Sequence, residues 1–169
     1  NCIFDNCQPG SSGGPGGDPL LCRGGGVAMA YGAPTFTDCN FVNNDAGVYY
    51  ANAFSNLHQG TDGGGFAFYH PQSGTRMTRC SFTGNSPYPA SSPTFTTPQP
   101  GSPTGRGGGG YVEAGTVELR ECAFHANTTN GFNAFGAGLA LVLATATLSD
   151  CSFTANDANA VWADQSVVN

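Results

Sequence analysis

A degenerate repeat constrains the fold of this chain more than any other feature of its sequence. The pattern Cys-x-Phe occurs five times, starting at Cys2, and in the last four copies an Asn follows the Phe by three residues. In the first copy Cys7 takes the place of the Asn. The four complete copies supply Cys39, Cys80, Cys122 and Cys151, then Phe41, Phe82, Phe124 and Phe153, and then Asn44, Asn85, Asn127 and Asn156. Repetition of this kind is typical of a solenoid.

Each complete copy also carries short apolar runs that alternate with period two, which indicates strands. A Gly that starts one such run stands fifteen residues before each later cysteine, at Gly24, Gly65, Gly107 and Gly136. An apolar residue also stands three residues before each of these cysteines, at Phe36, Met77, Leu119 and Leu148. Three strands per repeat predict the coil of an all-β parallel β-helix of four to five coils, stacked about 4.8 Å apart. We therefore expect an inward Cys column, an inward Phe stack and an Asn ladder.

The lengths between repeats place the insertions at one corner of the coil. Successive repeat cysteines are 37, 41, 42 and 29 residues apart, and the surplus falls between the Asn and the next Gly-rich start. The whole chain, 1–169, is thus one β-helix segment, which we interpret as part of a longer chain or assembly. Its predicted inserts are residues 8–23, 45–62, 86–106 and 128–135.

Composition excludes several classes of partner. The net charge is −6 with five basic residues in the whole chain, so binding to the phosphates of nucleic acid is not expected. No apolar run reaches the roughly 20 residues that span a bilayer, so membrane insertion is not expected either. No cofactor motif is present, because the Gly-rich starts lack the Lys-Ser/Thr of a phosphate-binding loop.

The seven cysteines divide into two groups. Those of the repeat column are interpreted as buried small apolar residues. Cys7 and Cys22 flank the first insert and are predicted to form a disulfide, which implies an oxidising compartment. Zinc is not expected, because no paired Cys-x-x-Cys or His spacing occurs.

The position just before the repeat Cys carries the weak catalytic candidates, Glu121 and Asp150. Stacking would put them side by side, with Arg79 between Asp38 and Glu121 in the same column. Adjacent carboxylates on one outer face are what an acid/base pair or a cation site requires. The simpler interpretation is a solvent-facing row of ion pairs. The three histidines do not converge and are interpreted as surface residues without partners.

Glycans are predicted on the Pro/Ser/Thr-rich third insert. Its candidate acceptors are Ser91, Ser92, Thr94, Ser102 and Thr104. Asn127 begins the one Asn-x-Thr sequon, and it would be a poor acceptor if it is a buried ladder residue.

These motifs resemble the repeats of pectin-lyase-like right-handed β-helix proteins. The closest resemblance is to the GGA[I/L]/FxxN repeats of polymorphic outer-membrane and similar cell-surface proteins. FxxN occurs here as Phe41–Asn44 and in the three later copies, and the glycine element as Gly25-Gly26-Val27 and its equivalents. The resemblance implies a right-handed helix and a surface-exposed, adhesive or structural role.

We therefore expect an extracellular or cell-surface structural or adhesive segment, such as a glycosylated filament or appendage subunit, rather than an enzyme. Open strand edges at the coil ends predict contacts with neighbouring copies or flanking segments of the same protein. The alternative is a polysaccharide-cleaving or carbohydrate-binding β-helix.

Overall fold

The computed structural model describes residues 2–7, 24–46, 61–87, 105–129 and 135–169, and within these ranges the chain is all-β. Among the described residues, no helix is long and apolar enough to cross a membrane. The strands form three five-stranded sheets and one two-stranded sheet. Every neighbouring pair of strands is parallel.

Each large sheet takes one strand from each successive coil. The glycine sheet contains β2 (Val27–Gly32), β6 (Phe66–Pro71), β10 (Gly110–Glu113), β13 (Leu139–Val142) and β16 (Val161–Asp164). The middle sheet contains β3 (Thr35–Thr37), β7 (Arg76–Thr78), β11 (Thr116–Arg120), β14 (Thr145–Ser149) and β17 (Val167–Val168). The phenylalanine sheet contains β1 (Ile3–Asp5), β4 (Asn40–Val42), β8 (Ser81–Thr83), β12 (Ala123–His125) and β15 (Ser152–Thr154).

The chain passes from the glycine sheet to the middle sheet to the phenylalanine sheet, and then returns one coil further along. This order makes the molecule a parallel β-helix of about five coils, as the repeat predicted. The predicted columns lie in register: Phe41 pairs with Phe82, and Phe124 pairs with both Phe82 and Phe153. The apolar residues of all three sheets enclose one continuous core.

Each coil turns at residues whose backbone φ is positive. Near the end of each glycine-sheet strand or just after it, these are Tyr31, His70, Ala114, Leu143 and Gln165, with φ from 46° to 63°. Between the middle and phenylalanine sheets they are Asp38, Arg79, Glu121 and Asp150, with φ from 51° to 55°. Just before the ladder position they are Asn6, Asn43, Gly84, Ala126 and Ala155. A non-glycine residue in this left-handed region costs roughly 1–2 kcal/mol, so the corners are strained in a regular pattern.

One predicted register was wrong. The left-handed glycines that precede the glycine sheet are Gly24, Gly63, Gly107 and Gly136, so Gly63 and not Gly65 belongs to this set. The cause is a turn in the second coil, where the chain needs two more residues to pass from Pro71 to Arg76 than from Gly32 to Thr35, although these residues pair.

Residues at the ends of the predicted inserts pair between coils. Thr61–Asp62 (β5) pairs with Gly105–Arg106 (β9), and Arg106 forms a bridge with Phe135. On the other side of the inserts, Asp45 forms a bridge with Ser86. Thr61–Asp62, Gly105–Arg106 and Phe135 thus form a short fourth ladder at one end of the inserts, and Asp45 and Ser86 join the coils at the other end. The central parts of the inserts lie outside the described residues.

Candidate functional site

The phenylalanine stack runs along the axis of the core. Successive rings, from Phe4 through Phe41, Phe82 and Phe124 to Phe153, lie nearly parallel with centroids 4.7, 4.8, 4.5 and 4.7 Å apart. The three middle rings are fully buried. The spacing equals the separation of neighbouring strands, so the side chains are locked to the coil repeat.

The glycine element of the repeat makes room for this stack. At Gly109 a Cβ atom would lie 2.7 Å from Cδ1 of Phe124 and 2.5 Å from the carbonyl oxygen of Gly138. A Cβ atom at Gly138 would likewise lie 2.7 Å from Cδ1 of Phe153. The Gly-rich start and the FxxN element are thus two sides of one packing contact across the coil.

The asparagine ladder is continuous. Nδ2 of Asn44, Asn85 and Asn127 each donates to Oδ1 of the next asparagine, the last being Asn156, at 3.0 Å. Each of these oxygens also accepts the backbone N–H of the preceding ladder residue. In the first coil the backbone N–H of Cys7 donates to Oδ1 of Asn44 at 2.9 Å, so it fills the ladder position without an amide side chain.

The cysteine column consists of free thiols. Cys39, Cys80 and Cys122 are buried and Cys151 is half-buried. Each thiol donates to the carbonyl two residues earlier, as Cys80 Sγ does to Thr78 O at 3.5 Å. The neighbouring Cys122 thiol lowers the pKa of both Cys80 and Cys151, and these two neighbours together with burial raise the pKa of Cys122.

Glu121 and Asp150 occupy equivalent corners of neighbouring coils, but the ion pairs differ from the expected row. Arg79 binds Asp38 through two contacts, Nε to Oδ1 at 2.7 Å and Nη2 to Oδ2 at 2.9 Å. Glu121 accepts from Nε of its sequence neighbour Arg120 at 3.1 Å, not from Arg79. The hydrogen bond from Arg79 lowers the pKa of the exposed Asp38 carboxyl.

A polar cluster outside the glycine sheet escaped sequence reasoning. The carboxylate of Asp62 is buried and takes two hydrogen bonds from Arg106, with Nε 2.8 Å from Oδ1 and Nη2 3.1 Å from Oδ2. The hydroxyl of Tyr69 donates to Oδ2 of Asp62 at 3.2 Å. The guanidinium of Arg106 lies 4.7 Å over the ring of Tyr111, whose hydroxyl donates to Glu113.

Burial and charge determine the pKa values in this cluster. Burial raises the pKa of Tyr111, and the nearby Asp62 carboxylate raises it further. Burial alone would lower the pKa of Arg106, but its contacts with Asp62 outweigh that effect and raise it. Both side chains therefore keep their protons, and the cluster fixes the start of the fourth ladder against the glycine sheet.

The histidine interpretation needs correction. Nδ1 of His125 lies 2.9 Å from Oγ1 of Thr154, and the ring of His70 stacks on Tyr31 with centroids 5.2 Å apart. Both have partners, because stacked coils bring side chains from successive strands together. His58 lies outside the described residues.

The disulfide between Cys7 and Cys22 stays a prediction, because Cys22 lies outside the described residues. Sγ of Cys7 lies 3.8 Å from the carbonyl oxygen of Asp5.

Among the predicted glycan acceptors, the structure describes Asn127 alone. This residue is fully buried and both amide hydrogens are bonded, which argues against glycosylation there. Ser91, Ser92, Thr94, Ser102 and Thr104 lie outside the described residues.

Protein-family models, curated proteins and solved structures give no match to this chain. The described site therefore rests on its own geometry. Its ordered polar groups are used mainly for internal bonding: the asparagines bond each other, the buried carboxylate bonds arginine, and three of the outer acidic groups bond arginines. Within the described ranges, no three Cys, His, Asp or Glu side chains are placed to hold one metal ion together.

Proposed function

We propose that this chain is an extracellular structural or adhesive β-helix segment that joins neighbouring segments end to end. The finer fold assignment, a right-handed β-helix similar to the FxxN repeats of cell-surface proteins, belongs to this proposal. Support for it comes from the glycine–phenylalanine contact and the asparagine ladder, which give both halves of that repeat a structural role. On this basis we infer that the chain is not an enzyme.

The observation that carries the proposal is the state of the two coil ends. The core residues in the middle of the molecule are buried, whereas those at its two ends are only partly buried. Phe4 and Phe153, the end members of the phenylalanine stack, are two of these partly buried residues. Ile3 (73% exposed) and Val167 (53%) are outward-facing apolar side chains on the terminal strands. Val168 stands at an inward position and is still 45% exposed, although its equivalent Ala146 is fully buried. Edge strands with apolar side chains favour the addition of a further strand.

The two ends differ in the strands that they supply. At one end β1 extends the phenylalanine sheet alone, and at the other β16 and β17 extend the glycine and middle sheets alone. A neighbouring segment with the same three-sheet coil, whether a second copy or a flanking segment, would therefore complete a coil that each end supplies in part.

Sedimentation velocity over a range of protein concentrations tests this proposal. We expect the chain to form oligomers whose masses are multiples of 17.2 kDa. Ile3→Lys and Val167→Lys place charges on the two edges and should each suppress association. Leu143→Lys is the matched control, because Leu143 is 56% exposed but lies at a corner on the side of the coil. A chain that stays monomeric throughout, or that Leu143→Lys disrupts equally, contradicts end-to-end association.

The location and the glycans are tested separately. Antibodies against the folded chain should label intact cells of its source without permeabilisation. Protein purified from those cells should carry glycans between Ser86 and Thr104 and none on Asn127. Labelling that requires permeabilised cells would contradict an extracellular site.

A carbohydrate-active or carbohydrate-binding role is the second candidate. One observation favours it: Glu121 and Asp150 occupy the same corner in neighbouring coils, which separates their backbones by about 4.8 Å. Two carboxylates at such spacing can act on a glycosidic bond. Polysaccharide cleavage or binding that disappears in both Glu121→Ala and Asp150→Ala, with the fold intact, would favour this role over the structural one.

A further inference from the structure

The cysteine column brings soft ligands together inside the core. Four cysteines stand at equivalent positions of successive coils: Cys39, Cys80, Cys122 and Cys151. The backbone bonds from Ser81 N to Cys39 O, from Ala123 N to Cys80 O and from Ser152 N to Cys122 O demonstrate this. Each thiol donates to the carbonyl oxygen two residues earlier, so the four side chains share one orientation. The sulfurs therefore follow one another along the coil axis at the strand spacing, and none of the four is engaged in a disulfide.

The spacing of this line matches a linear two-sulfur ligand set. A metal–thiolate bond is about 2.3 Å long in zinc sites, so two such bonds in line span about 4.6 Å. Neighbouring strands are about 4.8 Å apart. A cation between two consecutive sulfurs would thus need little movement of the coils.

The chemistry of the column selects the class of cation. Zinc and iron need three or four ligands, which the described residues do not bring together. Monovalent d10 cations accept two collinear ligands, and thiolates prefer soft ions such as copper(I). We propose that the column binds soft monovalent cations of the copper(I) and silver(I) class, one in each interval from Cys39 through Cys80 and Cys122 to Cys151.

Charge balance fits the buried location. Each cation takes the place of one thiol proton, which passes to solvent, and the resulting thiolate–cation–thiol unit is neutral. Loss of two protons per cation would leave a net negative charge in the core, which is costly without a partner. The half-buried Cys151 is the point at which an ion can enter the column.

Silver(I) nitrate in chloride-free buffer is the probe, and the full chain with Cys2, Cys7 and Cys22 changed to Ser is the starting protein. Titration should give saturable silver–thiolate absorption, one ion per interval by native mass spectrometry, a higher Tm and an unchanged far-ultraviolet circular dichroism spectrum. Adding Cys122→Ser removes the ligand shared by two intervals and should abolish both of these sites. Adding Cys39→Ser removes a ligand at the end of the column and should abolish one site only.

Three results would overturn the proposal. The folded protein takes up no silver until denaturant is added, the Cys122→Ser and Cys39→Ser proteins bind equally, or binding abolishes the strand spectrum. If the Cys122→Ser protein does not fold, Cys122→Ala replaces it, because alanine suits an apolar core position. None of these measurements depends on end-to-end association, so the two proposals fail independently.

Discussion

The asparagine ladder makes a quantitative prediction for Asn127→Ala. The substitution removes four hydrogen bonds, two that Oδ1 accepts from N and Nδ2 of Asn85 and two that Nδ2 donates, to Phe82 O and to Oδ1 of Asn156. A protein hydrogen bond contributes about 0.5–1.5 kcal/mol net, so the four together amount to about 2–6 kcal/mol. A single domain typically has about 5–15 kcal/mol in total, so this loss is a large share of the stability.

Equilibrium unfolding in urea, followed by circular dichroism, measures this loss. Asn40→Ala is the control, because Asn40 is exposed and its Oδ1 accepts a single bond from Ser81 Oγ at 2.7 Å. A surface change of this kind should alter the free energy of unfolding by about 0.5 kcal/mol or less. If Asn127→Ala costs no more than Asn40→Ala, the ladder does not stabilise the fold and our reasoning about it is wrong.

Other predictions concern the corners and the ion pairs. Leu143→Asn should raise the free energy of unfolding by about 1 kcal/mol, because Asn tolerates the left-handed conformation better; a lower Tm would contradict corner strain. Asp62→Ala should cost about 3–5 kcal/mol, since it leaves Arg106 mostly buried without its carboxylate, and a loss below 1 kcal/mol in urea would contradict this. The lowered pKa of Asp38 means that its stabilising pair with Arg79 is present above the usual value of 3.8 and is lost as the pH falls through the lower folded value. This acid-side loss should be absent in Arg79→Ala, and an identical pH profile would refute it.

The repeat was sufficient to predict the coil and its inward columns. Cys, Phe and Asn recur at fixed spacing because each meets its own equivalent in the next coil, and this contact leaves a record in the sequence. The stacking of Phe82 on Phe124 and the bond from Asn85 to Asn127 are of this kind.

Features without such repetition could not be predicted. Asp62 and Arg106 lie at the ends of inserts that share no pattern, so nothing in the sequence links them before the coils are stacked. The extra residues before Arg76 shifted the glycine register, because counting backwards from the cysteine assumes that every coil has the same length. Corner residues such as Leu143 point outwards, so their residue type varies from coil to coil. The sequence therefore does not reveal that they share a left-handed conformation.

The direction of the inter-coil bonds has a mechanical consequence. In a parallel β-helix the backbone bonds between strands, the amide bonds of the ladder and the ring-to-ring contacts all run along the long axis. A tensile force between the two ends would therefore load three sheets and the ladder together at every level. Separation of two coils would require all of these bonds to yield at once, so the molecule should resist stretching far better than peeling from one terminus.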